Sequence, residues 1–518
     1  MSRTRRVCAV SLALTACVVF RCGVPADAQG ALPAEARTVR AFDEAKKEGP
    51  LALRAFLYRM PKGADLHSHL SGAVYAETFI REAGVDGLCI DATQMKVDNT
   101  HRAPDCPPGE TAAKDAPANQ RLYDELIDAL SMRTFVPVTG ESGHDHFFDT
   151  FDRFGDDKRF AGEWIDEAAS RAASQNEQYL ELMETPAFAA ARKLGLQLGW
   201  HDDPAQMRQQ LLADESFRAN IVTDRAELAE ALQKRGTIER CGQADAKPGC
   251  KVAVRFLYQV LRGHPPEQVF AQTLLGFEVA SADSDVVGIN FVNPEDGYIS
   301  MRDYGLQMNM LNFLHEQYPK VHITLHAGEL AEGMVPPDGL NFHIRMAVEQ
   351  GHAERIGHGV DVMYEDRPWE LMKEMADRHV MVEINLTSND VILNVKGADH
   401  PFMLYRKAGV PVALSTDDEG VSRIDLTHEY ERAVDTYPLS YHDLKRMART
   451  SVEHSFLPGA SLWVRVTPET LEIPVPACRG QLGAEKPTGD CAVLLLGSEK
   501  AQQEWELERR FHAFESGF

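Results

Sequence analysis

Eight short runs of apolar and β-branched residues, each followed by a loop and a segment of helical spacing, constrain this chain more than any other feature. They span residues 64–67, 178–184, 251–258, 285–292, 321–326, 355–358, 380–385 and 411–416. Helical stretches at 304–317, 342–350, 368–378 and 401–408 separate the later runs. Strands that alternate with helices pair in parallel, because a parallel neighbour needs a crossover connection. Eight such units close into a (β/α)8 barrel, an α/β architecture. An open doubly wound sheet is the competing reading. No Gly-x-Gly-x-x-Gly follows an early run, which counts against its dinucleotide-binding version.

Two connections are too long to be simple loops. Residues 84–159 hold a Pro-rich patch (Pro104, Pro107, Pro108) and two helical pieces, and residues 186–249 hold a helical hairpin. Both are expected as insertions on a barrel of residues 61–456. A helical arm at 29–60 precedes it, and an extension at 457–518 follows, strand-like at 492–496 and then helical.

Residues 1–28 read as a signal peptide, with Arg3, Arg5 and Arg6 ahead of an apolar run and Ala26-Asp27-Ala28 as the cleavage site. The run is too short for an ordinary transmembrane helix. Leu14-Thr15-Ala16-Cys17 offers a lipoprotein alternative, anchored at Cys17. The expected location is periplasmic or secreted. Three of the nine cysteines fall in the signal, and the rest form neighbouring couples, Cys89 with Cys106, Cys241 with Cys250 and Cys478 with Cys491. In an exported chain such spacing suggests local disulfides. The formal charge of −24 repels nucleic acid and anionic membranes. It fits a neutral or cationic small substrate, or solubility alone. The oligomeric state stays open.

Titratable residues recur where the runs end. The first closes on His67-Ser-His69, the fifth on His326-Ala-Gly-Glu329, the sixth on Gly357-His358-Gly359 and the eighth on Ser415-Thr-Asp417-Asp418. Residues i and i+2 of a strand share a face, so His67 and His69 aim two imidazoles at one point, as ligands of a metal such as zinc do. In a barrel these C-terminal ends form the face where active sites assemble.

This set resembles the motifs of the metal-dependent adenosine deaminases of the amidohydrolase superfamily. The likeness extends to Val286–Asn293 and to Glu383-Ile-Asn-Leu-Thr-Ser-Asn389, and covers residues 60–456. The exported context and extra disulfides look closer to the extracellular, growth-factor-like branch. The resemblance implies a TIM barrel of the metal-dependent hydrolase type, with helical and disulfide-containing insertions. It implies one Zn2+ per chain held by His67, His69, His326 and Asp417, which makes water reactive at neutral pH. It makes Glu329 the acid that protonates purine N1, His358 the group that orients the nucleophile with Asp417, and Asp418 the contact to N7. The implied reaction is hydrolytic deamination of adenosine or 2′-deoxyadenosine to inosine or 2′-deoxyinosine plus ammonia. Glu383 is expected as a partner of a ligand rather than a catalyst.

Two departures bear on the substrate. Ser71 stands where the best-known members carry an aspartate for the ribose 5′-hydroxyl, and Asn293 where a glycine offers its N–H to purine N3. A different 6-aminopurine compound, another mononuclear amidohydrolase reaction and a non-catalytic extracellular binding protein are the competing functions. The absence of lysine from residues 285–293 favours one metal over two. A second histidine pair, His144-Asp-His146, reads as a helix start, and Phe147, Phe148, Phe151 and Phe154 after it as core packing rather than a pocket roof.

Overall fold

The computed structural model describes residues 33–155, 157–464 and 473–518. The signal-peptide reading therefore lies outside the described residues. All eight runs form strands: β1 (Gly63–His69), β2 (Glu177–Glu184), β3 (Ala253–Leu261), β4 (Val286–Val292), β5 (His322–Ala327), β6 (Arg355–His358), β7 (Met381–Ile384) and β8 (Val412–Leu414). Each pairs in parallel with its sequence neighbours. The last gap closes through a parallel bridge between Ser68 and Asp417, where Asp417 N–H donates to His67 O at 2.8 Å and His69 N–H to Asp417 O at 3.2 Å. The eight strands thus form a closed barrel, and the helices between them surround it.

The barrel interior carries ions as well as apolar layers. Arg355 bonds Glu181 and Glu383 at 2.7 Å each, and its guanidinium lies 3.8 Å from the Phe456 ring centroid. Phe456 packs with Met183 and Leu257 inside the barrel. A buried charge is tolerable only when paired and hydrogen-bonded, and Arg355 has a carboxylate on either side. Gly63 starts β1 at φ +74°, and a Cβ there would meet Ala448 O at 2.3 Å, so a larger residue cannot enter this register.

The insertions differ from expectation. Residues 84–159 hold a three-stranded antiparallel sheet (Leu88–Asp91, Lys96–Arg102, Glu110–Ala112) besides the two helices Gln120–Ala129 and Gly143–Asp149. Two of its strands are largely polar and the third, Leu88–Asp91, has only four residues, so no alternating pattern marks them. The second insertion has three helices rather than two: Ala189–Leu198, Pro204–Ala213 and Glu215–Ile238. The last two start at Asp203 and Asp214, whose carboxylates accept from N–H groups of the first turn. The arm is two helices, Ala34–Glu48 and Pro50–Arg59, broken at Gly49. Residues 492–496, expected as strand, are helical within Gly489–Leu496. A run of five apolar residues has no period that separates the two states. Here the Cys478–Cys491 disulfide and packing against Trp505 form a small satellite core that the helix completes. The disulfides Cys89–Cys106 and Cys241–Cys250 join the other couples.

Candidate active site

The C-terminal ends of β1, β5 and β8 bring four ligand-type side chains together. One donor atom each of His67, His69, His326 and Asp417 lies within 4.8 Å of every other, and all four residues are buried. The geometry decides which nitrogen faces inward. His67 Nδ1 lies 2.6 Å from Glu383 Oε2, and a carboxylate only accepts, so Nδ1 carries the proton. His69 Nδ1 lies 2.6 Å from Gln259 Oε1, whose amide nitrogen donates to Thr185 Oγ1 at 2.9 Å. His326 Nδ1 lies 2.7 Å from Asn290 Oδ1. Each Nε2 is then a lone pair pointing at the others.

His69 Nε2 and His326 Nε2 face each other at 3.2 Å, and His67 Nε2 is buried with no hydrogen-bond partner. Asp417 Oδ1 lies 3.3 Å and 3.2 Å from Nε2 of His67 and His69. Three imidazole lone pairs and one carboxylate oxygen converging on a point repel one another unless a cation sits among them. The residues fit a divalent transition metal, for which imidazole and carboxylate are ordinary ligands. Burial holds His326 well below the usual histidine range, which keeps its lone pair available.

The outer partners fix the ligands. Glu383 also accepts from Thr324 Oγ1 at 3.0 Å, and Ser388 Oγ donates to Asp417 Oδ2 at 2.6 Å. Asp65 accepts from His67 N–H at 3.1 Å and from Thr416 N–H and Oγ1 at 3.1 and 2.6 Å, tying the strand ends that carry two ligands. Sequence reasoning found Glu383 but not Asn290, Gln259, Ser388 or Asp65. The legible signal was a polar residue inside an apolar strand, as at Gln259 and Asn290.

Beside the cluster stand Glu329 and His358, with Glu329 Oε1 at 3.6 Å from His358 Nδ1. His400 Nε2 holds Asn389 Oδ1 at 3.0 Å, which turns the Asn389 amide nitrogen toward His358 Nδ1 at 2.9 Å. His358 Nδ1 therefore accepts, and its Nε2–H points at Asp417 Oδ2, 4.0 Å away. Burial pulls the His358 imidazolium down to about 3, so the ring is a neutral donor. Burial, reinforced by the charges of Asp417 and Glu295, pushes the Glu329 carboxyl well above the usual range. Burial and the charge of Asp417 push Asp418 up to about 8.

His358 (φ +70°), Asp417 (φ +59°) and Asn293 (φ +103°) all take left-handed backbone conformations. Such positions cost roughly 1–3 kcal/mol each for a non-glycine residue and persist where the surroundings enforce them. At Asn293 the side chain bonds backward, with Oδ1 accepting from Gly263 N–H at 3.1 Å, and so leaves the cavity clear. Asp418 precedes the short helix Glu419–Ser422 but makes no capping bond to it. Its buried Oδ1 lacks a partner. Gly72 makes room, since a Cβ there would lie 1.5 Å from that oxygen.

These groups face a cavity of about 530 Å³, within the range of small-molecule sites. Ser71, Asn293, Asp418, Glu329, His69, His326 and Asp417 line it; His67 and His358 lie behind that surface. Phe147, Phe148 and Phe151 line it too; Phe147 is also buried in the core, as expected, whereas the half-buried Phe148 and Phe151 pack on the core and face the cavity besides. Only Phe154 turns away, stacking on Phe79 at 4.2 Å. Their helix starts as expected, through a reciprocal capping box between Ser142 and Asp145. His144 Nε2 then lies 3.2 Å from Asp296 Oδ1 on the loop after β4, tying the roof to the barrel.

Comparison with known proteins places this arrangement. The adenosine deaminase family model matches residues 163–461. An adenosine deaminase of Clostridium perfringens (strain 13) is 36% identical over 138 residues, 26% of this chain and 37% of that protein. The chain thus spans little more than a third of the length of the curated relatives it matches. Arabidopsis ADAL complexed with IMP superimposes with a TM-score of 0.50 at 21% identity, over 77% of this chain and 93% of that one. An amidohydrolase from Burkholderia ambifaria with bound zinc does so with a TM-score of 0.50 at 19% identity, over 78% and 88%. At that identity the two structures speak for a shared fold. The family model covers more than half of the chain, and the chain belongs to the adenosine deaminase family.

Proposed function

We propose that this protein deaminates adenosine or 2′-deoxyadenosine hydrolytically, releasing ammonia and the 6-oxopurine nucleoside, with one zinc ion at the His67, His69, His326 and Asp417 cluster. The observation that carries the reading is the convergence of three imidazole lone pairs and a carboxylate beside the buried Glu329, whose carboxyl burial pushes well above its usual range, at an apolar-walled cavity of about 530 Å³. An ion held there supplies Lewis acidity toward water.

The chain's own residues do the rest. Glu329 donates its proton to purine N1, which makes C6 electrophilic; the ring's aromaticity is lost as water adds there. Such a transfer contributes on the order of 10²–10⁴-fold. The His358 Nε2–H and the Asp417 carboxylate orient the attacking water, and His358 stabilises the charge developing on its oxygen. Asp418, protonated through burial, faces N7 as a donor. The Asn293 N–H faces N3, and Ser71 the sugar. Water adds to C6 and the bond from C6 to the amino nitrogen breaks; of the water's two protons, one leaves with the amino group as ammonia and the other returns to the Glu329 carboxylate. The phenylalanine roof covers the base and excludes bulk water.

The cavity's charge favours a nucleoside over its monophosphate. Lys158, the one lysine among the described lining residues, pairs with Glu184 at 2.6 Å. Asp152, Glu329, Asp417 and Asp418 line the same cavity. With Glu329 and Asp418 protonated and Asp417 committed to the ion, a phosphate dianion would meet the charge of Asp152 and find no uncommitted cation among the described lining groups. The nucleotide remains the competing substrate class, since Arabidopsis ADAL, of the same fold, was crystallised with IMP. Export to an oxidising compartment belongs to this reading, supported by the three disulfides.

The test is an ammonia-release screen over adenosine, deoxyadenosine, adenine and AMP, before and after chelation and zinc repletion. Turnover of adenosine that chelator abolishes and zinc restores is the expected result. Preference for AMP would overturn the substrate assignment, and turnover that survives metal removal would overturn the site. Glu329→Gln should retain the metal and lose at least about a hundredfold in kcat.

A further inference from the structure

The loop after β4 carries a group that the reaction above does not use. Glu295 is 1% exposed, and its two carboxylate oxygens hold consecutive backbone amides of the β5 loop. Oε1 accepts from Gly328 N–H at 3.0 Å, and Oε2 from Glu329 N–H at 2.7 Å. Behind it, His343 Nδ1 bonds Oε1, and the His343 ring stacks on Tyr304 with centroids 3.9 Å apart. Tyr304 OH donates to His343 O at 2.9 Å, which closes that arm on the helix Tyr298–Gln317. Arg262, also 1% exposed, approaches the Glu295 carboxylate to 4.0 Å and donates to His326 O at 3.0 Å.

We infer that Glu295 is a positioning residue that sets the placement of Glu329 relative to the metal cluster by clamping the Gly328–Glu329 backbone. The inference rests on the role proposed for Glu329. The turn it clamps needs external support. Gly328 has φ +75°, and a Cβ there would lie 2.5 Å from Asp361 Oδ1, so only glycine fits, and a glycine backbone free to take many conformations needs outside contacts to hold one. A carboxylate suits the task because it accepts at both oxygens. The isosteric amide accepts at one and presents donors at the other, so one of the two adjacent N–H groups would meet N–H instead. The charge is available too. Burial opposes it, but His343 and Arg262 hold the Glu295 carboxyl down at about 2.

Glu295→Gln in the full-length, metal-loaded protein tests this. A displacement of about 1 Å at a reacting group costs on the order of a hundredfold. We expect kcat for adenosine to fall at least thirtyfold, with KM within threefold, metal content unchanged and amide exchange at residues 328–329 at least tenfold faster. A kcat within threefold of wild type, or a loss of kcat that tracks loss of metal, overturns the inference. If that variant does not fold, His343→Gln decides. It removes only the imidazole that braces Oε1. A kcat loss of fivefold or more with metal retained supports the clamp, and a kcat within twofold overturns it. If the wild-type protein releases no ammonia from any aminopurine, the functional reading fails. The exchange rates at residues 328–329 in Glu295→Gln still report on the clamp, and unchanged rates overturn it.

Discussion

Replacing Glu383 should separate metal affinity from fold stability in a measurable way. Its Oε2 accepts from His67 Nδ1 at 2.6 Å, and its Oε1 faces Arg355 Nε at 2.7 Å and Thr324 Oγ1 at 3.0 Å. Burial opposes its charge, yet Arg355 and His67 hold the carboxyl below the usual range, so it is an anion. Glu383→Gln keeps an acceptor for His67 but removes the charge. A charge-assisted hydrogen bond is worth about 1.5–3 kcal/mol, roughly twice a neutral one. About half is lost, some 0.8–1.5 kcal/mol, which is about four- to tenfold in metal affinity. Glu383→Ala removes the acceptor entirely and should approach a hundredfold. It also strips Arg355 of one buried partner while Glu181 stays at 2.7 Å. Breaking a buried pair costs about 3–5 kcal/mol when no partner remains, so about 2–3 kcal/mol is expected here. Chelator-competition titration gives the affinity, and urea unfolding of the metal-free protein gives the stability. A Glu383→Gln protein whose affinity lies within twofold of wild type would refute the argument that the carboxylate tunes His67.

Other outcomes follow from the same structure. His144→Ala cuts the bond to Asp296 that ties the phenylalanine roof to the barrel, so KM for the nucleoside should rise about three- to tenfold, in line with ~1 kcal/mol per lost hydrogen bond; steady-state kinetics decide it. Asp224 sits between Asn220 and Tyr258 at 2.8 and 2.9 Å, and burial pushes its carboxyl up to about 8. The folded state therefore keeps a proton that the unfolded chain releases near pH 4, and this contribution to stability declines as pH rises toward 8, by at most about 1.4 kcal/mol per pH unit. Asp224→Asn mimics the protonated form, so it should gain stability relative to wild type at pH 8 compared with pH 5 in paired urea titrations. An unchanged difference between the two pH values would show that Asp224 is charged in the native protein. The kcat losses of Glu329→Gln and Glu295→Gln should differ in kind, since only the second speeds amide exchange at residues 328–329.

Much of the barrel was readable from local pattern, because each strand is an apolar run bounded by polar loop residues and each following helix has its own spacing. The insertions were less so. The polar strands at Lys96–Arg102 and Glu110–Ala112 lack an alternating signal and are held by pairing with Leu88–Asp91. The run at 492–496 took its state from a disulfide and from Trp505, neither of which is local.

By itself the chain determined which side chains meet. The residues that end β1, β5, β6 and β8 must share one rim once the strands run parallel around a closed barrel, and the strand period puts His67 and His69 on one side. What only the tertiary structure decided is how those groups are poised. The protonated nitrogen of each imidazole depends on Glu383, Gln259, Asn290 and Asn389, which lie 31 or more positions away in the chain. The left-handed backbone at Asn293, His358 and Asp417 and the grip of Glu295 on Gly328 and Glu329 arise from strand closure and buried charge. Pattern records what a residue is next to in sequence, whereas protonation and aim are set by neighbours in space.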